Sequence, residues 1–192
     1  MRYPPDQKAK ARKSILEAGA KAIKTHGING IGVDGIAGLA GVTSGAFYSN
    51  FAGKEAMLED VIDSYFGDFI TEPTNGSPAE RERRLTEWLT TYISTEHRAD
   101  TASGCVMPSL SADIARSGDA VRATYKRKVV ELVATLASEM PGDDADRERR
   151  AWSILALMSG AVAISRAMPD GVEAERVLEA SLRSAISLFT PS

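Results

Sequence analysis

The sequence predicts an all-α protein of about nine helices: an N-terminal helix-turn-helix three-helix unit, then a C-terminal helical bundle that dimerises. Three observations predict this class. Apolar residues recur at three- and four-residue intervals along most of the chain, and no stretch alternates apolar with polar residues as a half-buried strand would. Gly, Pro, Asn and Asp cluster between those stretches and punctuate them. Of 192 residues, 43% are hydrophobic and 26% charged, which fits a soluble globular chain and excludes collagen-like and wholly disordered ones.

The elements follow in order. Asp6 to His26 carries Ile15, Ala18, Ala22 and Ile23 on one face, and Gly27 ends it, with Lys21, Lys24 and His26 in a last turn that favours cations. Val33–Ala40 is a short second helix. Gly41-Val42 is a turn, and Thr43 is a natural N-cap for a third helix ending near Asn50. Gly53-Lys54-Glu55 opens a fourth helix with Met57, Leu58, Val61, Ile62, Tyr65, Phe66 and Phe69 on its apolar side, and Glu72–Pro78 is a loop. Five helices follow: Pro78–His97, Cys105–Arg116, Asp119–Met140, Asp146–Ala167 and Val172–Phe189, separated by the 99–104 loop, Ser117-Gly118, Pro141-Gly142-Asp143-Asp144 and Pro169-Asp170-Gly171. The chain divides at residue 54, into 1–54 and 55–192. The fourth helix is expected to join the two and to carry any reorientation between them.

Net charge is −3, but it is unevenly spread. Residues 1–54 hold eight basic and three acidic residues, a net of +5, whereas 55–192 carry a net of −8. A basic front on an acidic body suggests a first segment that meets a polyanion. Arg2, Lys8, Lys10, Arg12 and Lys13 read as a mobile basic arm for phosphate or minor-groove contact. The single cysteine excludes an internal disulfide and suits a reducing compartment. No apolar signal core opens the chain, and the most apolar stretch, 151–165, contains Ser153, Ser159 and Gly160 and is too short to span a membrane. A cytoplasmic location is expected.

The informative stretch runs from Val33 to Lys54. Ile36, Ala37, Ala40, Val42 and Phe47 are spaced to pack two short helices across a tight turn, with Gly41 where a positive φ is needed. In a helix-turn-helix the second helix enters the major groove with its N-terminal residues facing base edges. Here those residues are small or polar. Thr43, Ser44, Gly45, Ala46, Ser49 and Asn50 allow close approach, Asn suits adenine, Ser suits several bases, and an Ala methyl suits the thymine methyl. Tyr48 offers a hydroxyl to phosphate, and Lys54 lies at a helix start, where backbone N–H groups and an ammonium together suit a phosphate.

The runs Ile15-Leu16-Glu17-Ala18-Gly19-Ala20, His26-Gly27, Ile36-Ala37 and Ala40-Gly41-Val42-Thr43 lead into Gly45-Ala46-Phe47-Tyr48 with Phe51, Lys54-Glu55 and Leu58. With these, residues 11–66 resemble the TetR family of bacterial transcriptional regulators. The resemblance implies a dimeric repressor, with 1–54 as the DNA-binding part and 55–192 as the ligand-binding and dimerisation part, whose small-molecule ligand releases the operator. Ser44, Ser49 and Asn50 stand where the family often has a basic residue, aromatics or His, so the operator sequence does not transfer. Seven of the 16 glycines fall between residues 30 and 53, and Gly35 and Gly38 lie inside a helix, which predicts a loosely ordered DNA-binding part when free.

Trp88, Tyr92, Met107, Leu110, Tyr125, Val129 and Trp152 sit on apolar faces of different helices and are the expected lining of an adaptable pocket for an apolar effector. As single residues each is equally consistent with core. Cys105 follows Gly104 at a helix start, where a thiol is reactive when its pKa is lowered, so an electrophilic effector is the companion expectation, beside that of a small buried hydrophobe. Leu155, Met158, Ser159, Val162, Leu178, Leu182, Ile186 and Phe189 on the last two helices are the expected dimer interface, forming a four-helix bundle with a second copy.

No enzyme is expected. The two histidines, His26 and His97, read as helix caps, and the chain has no His-Glu-x-x-His, no cysteine pair for zinc and no phosphate-cradling glycine loop. No cofactor is expected. Arg81–Arg84 and Asp146–Arg150 read as solvated helix faces. The rival readings are a cysteine-dependent helical enzyme built on Cys105, which lacks an evident base, and an architectural DNA-binding protein without an effector.

Overall fold

The computed structural model describes residues 5–66 and 76–189. Ten helical segments form within them: α1 (Pro5–His26), α2 (Val33–Leu39), α3 (Ser44–Asn50), α4 (Lys54–Tyr65), α5 (Pro78–Tyr92), α6 (Thr95–Ala99), α7 (Val106–Ile114), α8 (Asp119–Ser138), α9 (Asp144–Arg166) and α10 (Val172–Ser187). The all-α class is as the periodicity predicts. The extra element arises inside the expected 78–97 helix: Ile93 leaves the helical region, and the Ser94 side chain accepts from His97 N–H to start the five-residue α6. The basic arm is corrected as well. Helix α1 begins at Pro5, a residue suited to a first helical position, so Lys8, Lys10, Arg12 and Lys13 lie on a helix, while Arg2 falls outside the described residues. Phe69 also falls outside them.

Packing groups residues 1–66 and 101–128 into one compact unit, and 67–100 and 129–192 into another. Helix α4 lies wholly in the first, and α8 is the described helix that runs through both. The core of the first unit is Ile15 and Ile23 of α1, Ile36 of α2, Phe47 of α3, and Met57, Leu58, Val61 and Ile62 of α4, all completely buried. Each such side chain contributes about 1.5–3 kcal/mol on removal from water. Val106 and Leu110 of α7 are buried in the same unit. Two glycines fix the local geometry. Gly41 takes φ +68 at the α2–α3 turn, and a Cβ on Gly19 would lie 2.5 Å from Met57 Sδ, so α1 and α4 meet at close range.

The core of the second unit is Leu85, Leu89 and Tyr92 of α5, Leu136 of α8, Ile154, Met158 and Val162 of α9, and Leu178 and Ala185 of α10. Helices α9 and α10 make its most extensive pairing. Three arginines close it. Arg150, only 3% exposed, donates to the Leu188 carbonyl at 2.8 Å, the Phe189 carbonyl at 3.2 Å and the Pro141 carbonyl, and pairs with Asp146 at 2.8 Å. It is therefore a buried staple and not part of a solvated face. Arg98 and Arg166 cap opposing helix ends: Arg98 donates to Ser165 and Met168 carbonyls, Arg166 to the His97 and Arg98 carbonyls.

Candidate nucleic-acid interface

The site is built on α3, a helix of two turns presented by α1, α2 and α4. Thr43 has extended backbone and its hydroxyl accepts from Ala46 N–H at 3.2 Å, as its expected N-cap role requires. Phe47 points inward and is completely buried, with Tyr48 edge-on at 5.5 Å and Phe51 at 5.6 Å. Burying Phe47 turns Thr43, Gly45, Tyr48 and Ser49 outward, and all four are exposed. Tyr48, 60% exposed, is the largest side chain on that face. Gly45 and Ala46 keep its start low, so backbone can come close to a base edge.

The polar side chains of α3 already have local partners. Ser44 donates to the Asp34 carboxylate at the start of α2. Ser49 Oγ and Asn50 Nδ2 both donate to the Ala46 carbonyl at 2.8 Å. Asn50 Oδ1 is buried with no hydrogen-bond partner among the described residues. Hydroxyls rotate readily, so Ser44 and Ser49 can exchange these bonds for a base edge at small cost. Asn50 is half-buried, and its amide must first leave the Ala46 carbonyl. Lys54 Nζ donates to the Ile28 carbonyl at 2.8 Å and the Ile31 carbonyl at 3.1 Å, closing the α1–α2 loop. That bridging role was not visible in the sequence, because it depends on a fold-back over more than twenty residues.

Positive charge beside α3 comes from α1. Lys8, Lys10 and Lys21 are exposed, and Lys13 pairs loosely with Glu17 at 3.8 Å. Arg12 is held by the Asn50 carbonyl at 2.6 Å and by Asp60.

Residues 15–61, the stretch that builds this arrangement, match the family described as bacterial regulatory proteins, tetR family. Residues 15–61 thus carry the N-terminal part of that family. The chain is similar to the HTH-type transcriptional repressor DhaR of Mycobacterium sp. (strain GP1), 27% identical over 119 residues, or 60% of this chain and 58% of that one. It is also similar to the HTH-type transcriptional repressor KstR2 of Mycolicibacterium smegmatis, 33% identical over 100 residues, covering 49% and 47% respectively. The matched stretches thus span about half the length of these relatives. Its fold is that of reduced E. coli NemR, with TM-score 0.71, 21% identity, and 91% and 94% of the two chains covered. Both of the first two relatives are described as transcriptional repressors.

Of the expected effector residues, the first unit brings four together. Cys105, Met107 and Leu110 are buried at the start of α7, and the Tyr125 hydroxyl lies 2.7 Å from Ser111 with its ring edge-on to Phe66 at 5.3 Å. The Cys105 thiol accepts from Met107 N–H and donates to the Phe66 carbonyl, both at 3.5 Å. Trp88 and Tyr92 are buried against each other in the second unit, where Val129 is half-buried. Trp152 is 42% exposed beside Glu148 and lines no enclosed wall.

Of the expected dimer residues, Leu155, Met158, Val162, Leu178 and Phe189 are buried within the second unit of the single chain. Ser159, Leu182 and Ile186 are half-buried. Helix α9 is apolar on more than one side, so periodicity alone does not separate its core face from its outer one. The outer apolar residues are Trp152, Ala156 and Ile164, with Val172 at the start of α10.

Among the described residues no group of three His, Cys, Asp or Glu is placed to hold a metal, and no helix is long and apolar enough to cross a membrane.

Proposed function

We propose that this protein is a site-specific transcriptional regulator of the cytoplasm, a repressor that occupies a palindromic operator as a homodimer and is released by a small apolar or electrophilic effector. The observation that carries the reading is the outward face of α3 on a TetR-family scaffold. Thr43, Ser44, Gly45 and Ala46 lie lowest toward the bases. Tyr48 reaches a phosphate, and Ser49 and Asn50 contribute once their bonds to Ala46 are exchanged. Lys54 uses two of its three ammonium donors in the loop and offers the third to a phosphate. Functionally the chain divides at residue 54, with 55–192 holding the effector and the partner copy.

The effector arm of the proposal rests on Cys105, Met107, Leu110 and Tyr125. A group added to the Cys105 sulfur, or an apolar molecule wedged beside it, breaks the bond to the Phe66 carbonyl at the end of α4. Helix α4 also carries Lys54, so the disturbance reaches the DNA-binding elements through one rigid helix. Release requires that the effector bind one arrangement of those elements better than the other. The second copy packs on the outer face of α9 at Ala156 and Ile164, with Ser159 and Leu182 at its margin, and sets two α3 helices about 34–36 Å apart or a multiple of that.

The test is selection of bound duplexes from a random pool at two salt concentrations. Enrichment of one palindrome, with binding that weakens steeply in salt, supports the proposal. Equal binding to every duplex would instead favour an architectural protein. N-ethylmaleimide should then release the selected duplex from wild type and not from Cys105→Ser; release from both would remove the electrophile arm.

A further inference from the structure

We infer that Arg12 is a positioning residue of the DNA-binding unit: it sets the pose of α3 from behind, through its C-terminal end, without touching DNA. The inference rests on the DNA-binding reading and assigns a role to a basic residue that charge alone would aim at phosphate.

Helix α3 has seven residues, too few for its own hydrogen-bond ladder to hold it in place. Its start is fixed by the Thr43 cap and the Ser44–Asp34 bond. At its end, the Asn50 carbonyl belongs to the last turn, where carbonyls lack helical partners. Arg12 Nη1 donates to that carbonyl at 2.6 Å. The same guanidinium pairs through Nη2 with Asp60 of α4 and lies 4.3 Å from the centroid of the Phe51 ring. Phe51 is itself buried and packs on Phe47, the residue that decides which face of α3 looks outward. One planar fork therefore joins α1 to the end of α3, to the α3–α4 turn and to α4. Its two terminal nitrogens are committed, and its charge complements the C-terminal dipole of α3. The neighbouring Lys8, Lys10 and Lys13 are exposed on the same helix and make no such set of contacts.

The experiment measures affinity for the selected palindrome and for a scrambled duplex, across a salt series, for wild type, Arg12→Ala, Arg12→Lys and Asp60→Asn, with thermal melts of each. Arg12→Ala should bind the palindrome about tenfold or more weakly, with a salt slope equal to wild type and a smaller ratio of palindrome to scrambled affinity. The slope stays because no phosphate contact is lost, and the ratio falls because a mis-set helix loses base contacts first. Asp60→Asn should also weaken palindrome binding severalfold, although it removes a negative charge from a DNA-binding surface. Arg12→Lys keeps the charge but not the fork, and should weaken binding at unchanged slope.

A slope reduced by about 1 in Arg12→Ala is the signature of a lost phosphate contact and would overturn the inference. So would Asp60→Asn binding as tightly as wild type or more tightly. Should Arg12→Ala fail to fold, Asp60→Asn and Arg12→Lys decide the matter by the same criteria. A wild type that prefers no palindrome overturns the DNA-binding reading, and this assignment with it.

Discussion

The ammonium of Lys24, near the end of α1, lies 2.8 Å from the carbonyl oxygen of Gly104, the residue before Cys105. Lys24 is 5% exposed, and its ammonium also lies 5.7 Å from the Tyr65 ring. Two further bonds tie the same segment to the α1–α2 loop and to α4. Asp113 accepts from Ile28 N–H at 3.0 Å, and Glu55 accepts from Gly118 N–H at 3.1 Å. Both ends of α7 are thereby fastened to α1, the α1–α2 loop and α4, so a change at Cys105 has a mechanical route to α3 that does not depend on α4 alone.

Lys24→Met keeps most of the apolar stem and deletes the donor. The Gly104 carbonyl then loses a buried partner, which costs about 1–3 kcal/mol. The expected outcome is a lower melting temperature with the helical circular dichroism retained. A melting temperature equal to wild type would show that this anchor contributes nothing to stability.

The fold and the interface were legible in the sequence to different depths. Helix class and most boundaries followed from periodicity and from Gly27, Gly41 and Thr43, whose local chemistry is complete within a few residues. The outward face of α3 was legible too, because burying Phe47 leaves Tyr48 no choice. What the sequence hid are long-range commitments of charged side chains. Arg12, Lys24, Lys54 and Arg150 each look solvated by residue type, and each finds backbone carbonyls far along the chain. The face of α9 that meets solvent was hidden for the opposite reason, since its apolar residues run round the helix.

Lys54 clasps the α1–α2 loop, and the phosphate contact proposed for it can be separated from that role by mutation. Lys54→Ala should reduce the slope of log affinity against log salt by about 1, and weaken palindromic and scrambled duplexes alike. It should also lower the melting temperature, because the Ile28 and Ile31 carbonyls lose their bridge. An unchanged slope with a lowered melting temperature would leave Lys54 as a loop clasp only.

Gly38 stands in α2 with nothing within 4 Å of where a Cβ would sit. Its backbone is helical, so Ala fits without strain. Gly38→Ala should stabilise the DNA-binding elements by up to ~1 kcal/mol, through helix propensity and a less flexible unfolded chain. Amide hydrogen exchange in α2 should slow by a corresponding factor. Gly35 is the control: a Cβ there would meet Ile31 Cγ1 at 2.9 Å, so Gly35→Ala should gain less or lose stability. Equal protection in both variants and wild type would mean that the glycines do not loosen this helix.

Alkaline pH should act on the first unit through its tyrosines. Burial raises the Tyr125 phenol above its ordinary value of 10.0, against the hydrogen bond it shares with Ser111, with the nearby Cys105 adding to the rise. Burial and then the charge of Glu17 raise Tyr65. A pKa raised in the folded state means that the fold favours the neutral phenol. The associated stability is whole below pH 10.0 and is lost as pH climbs through the higher folded value. Stability should therefore stay level with respect to these groups up to about pH 10 and fall above it. Phenolate absorbance should show a late-ionising component that Tyr125→Phe removes, and the fall in melting temperature above pH 10 should be shallower in that variant. A phenolate titration unchanged by Tyr125→Phe except in amplitude would mean that the Tyr125 ring is open to water and does not wall the space beside Cys105.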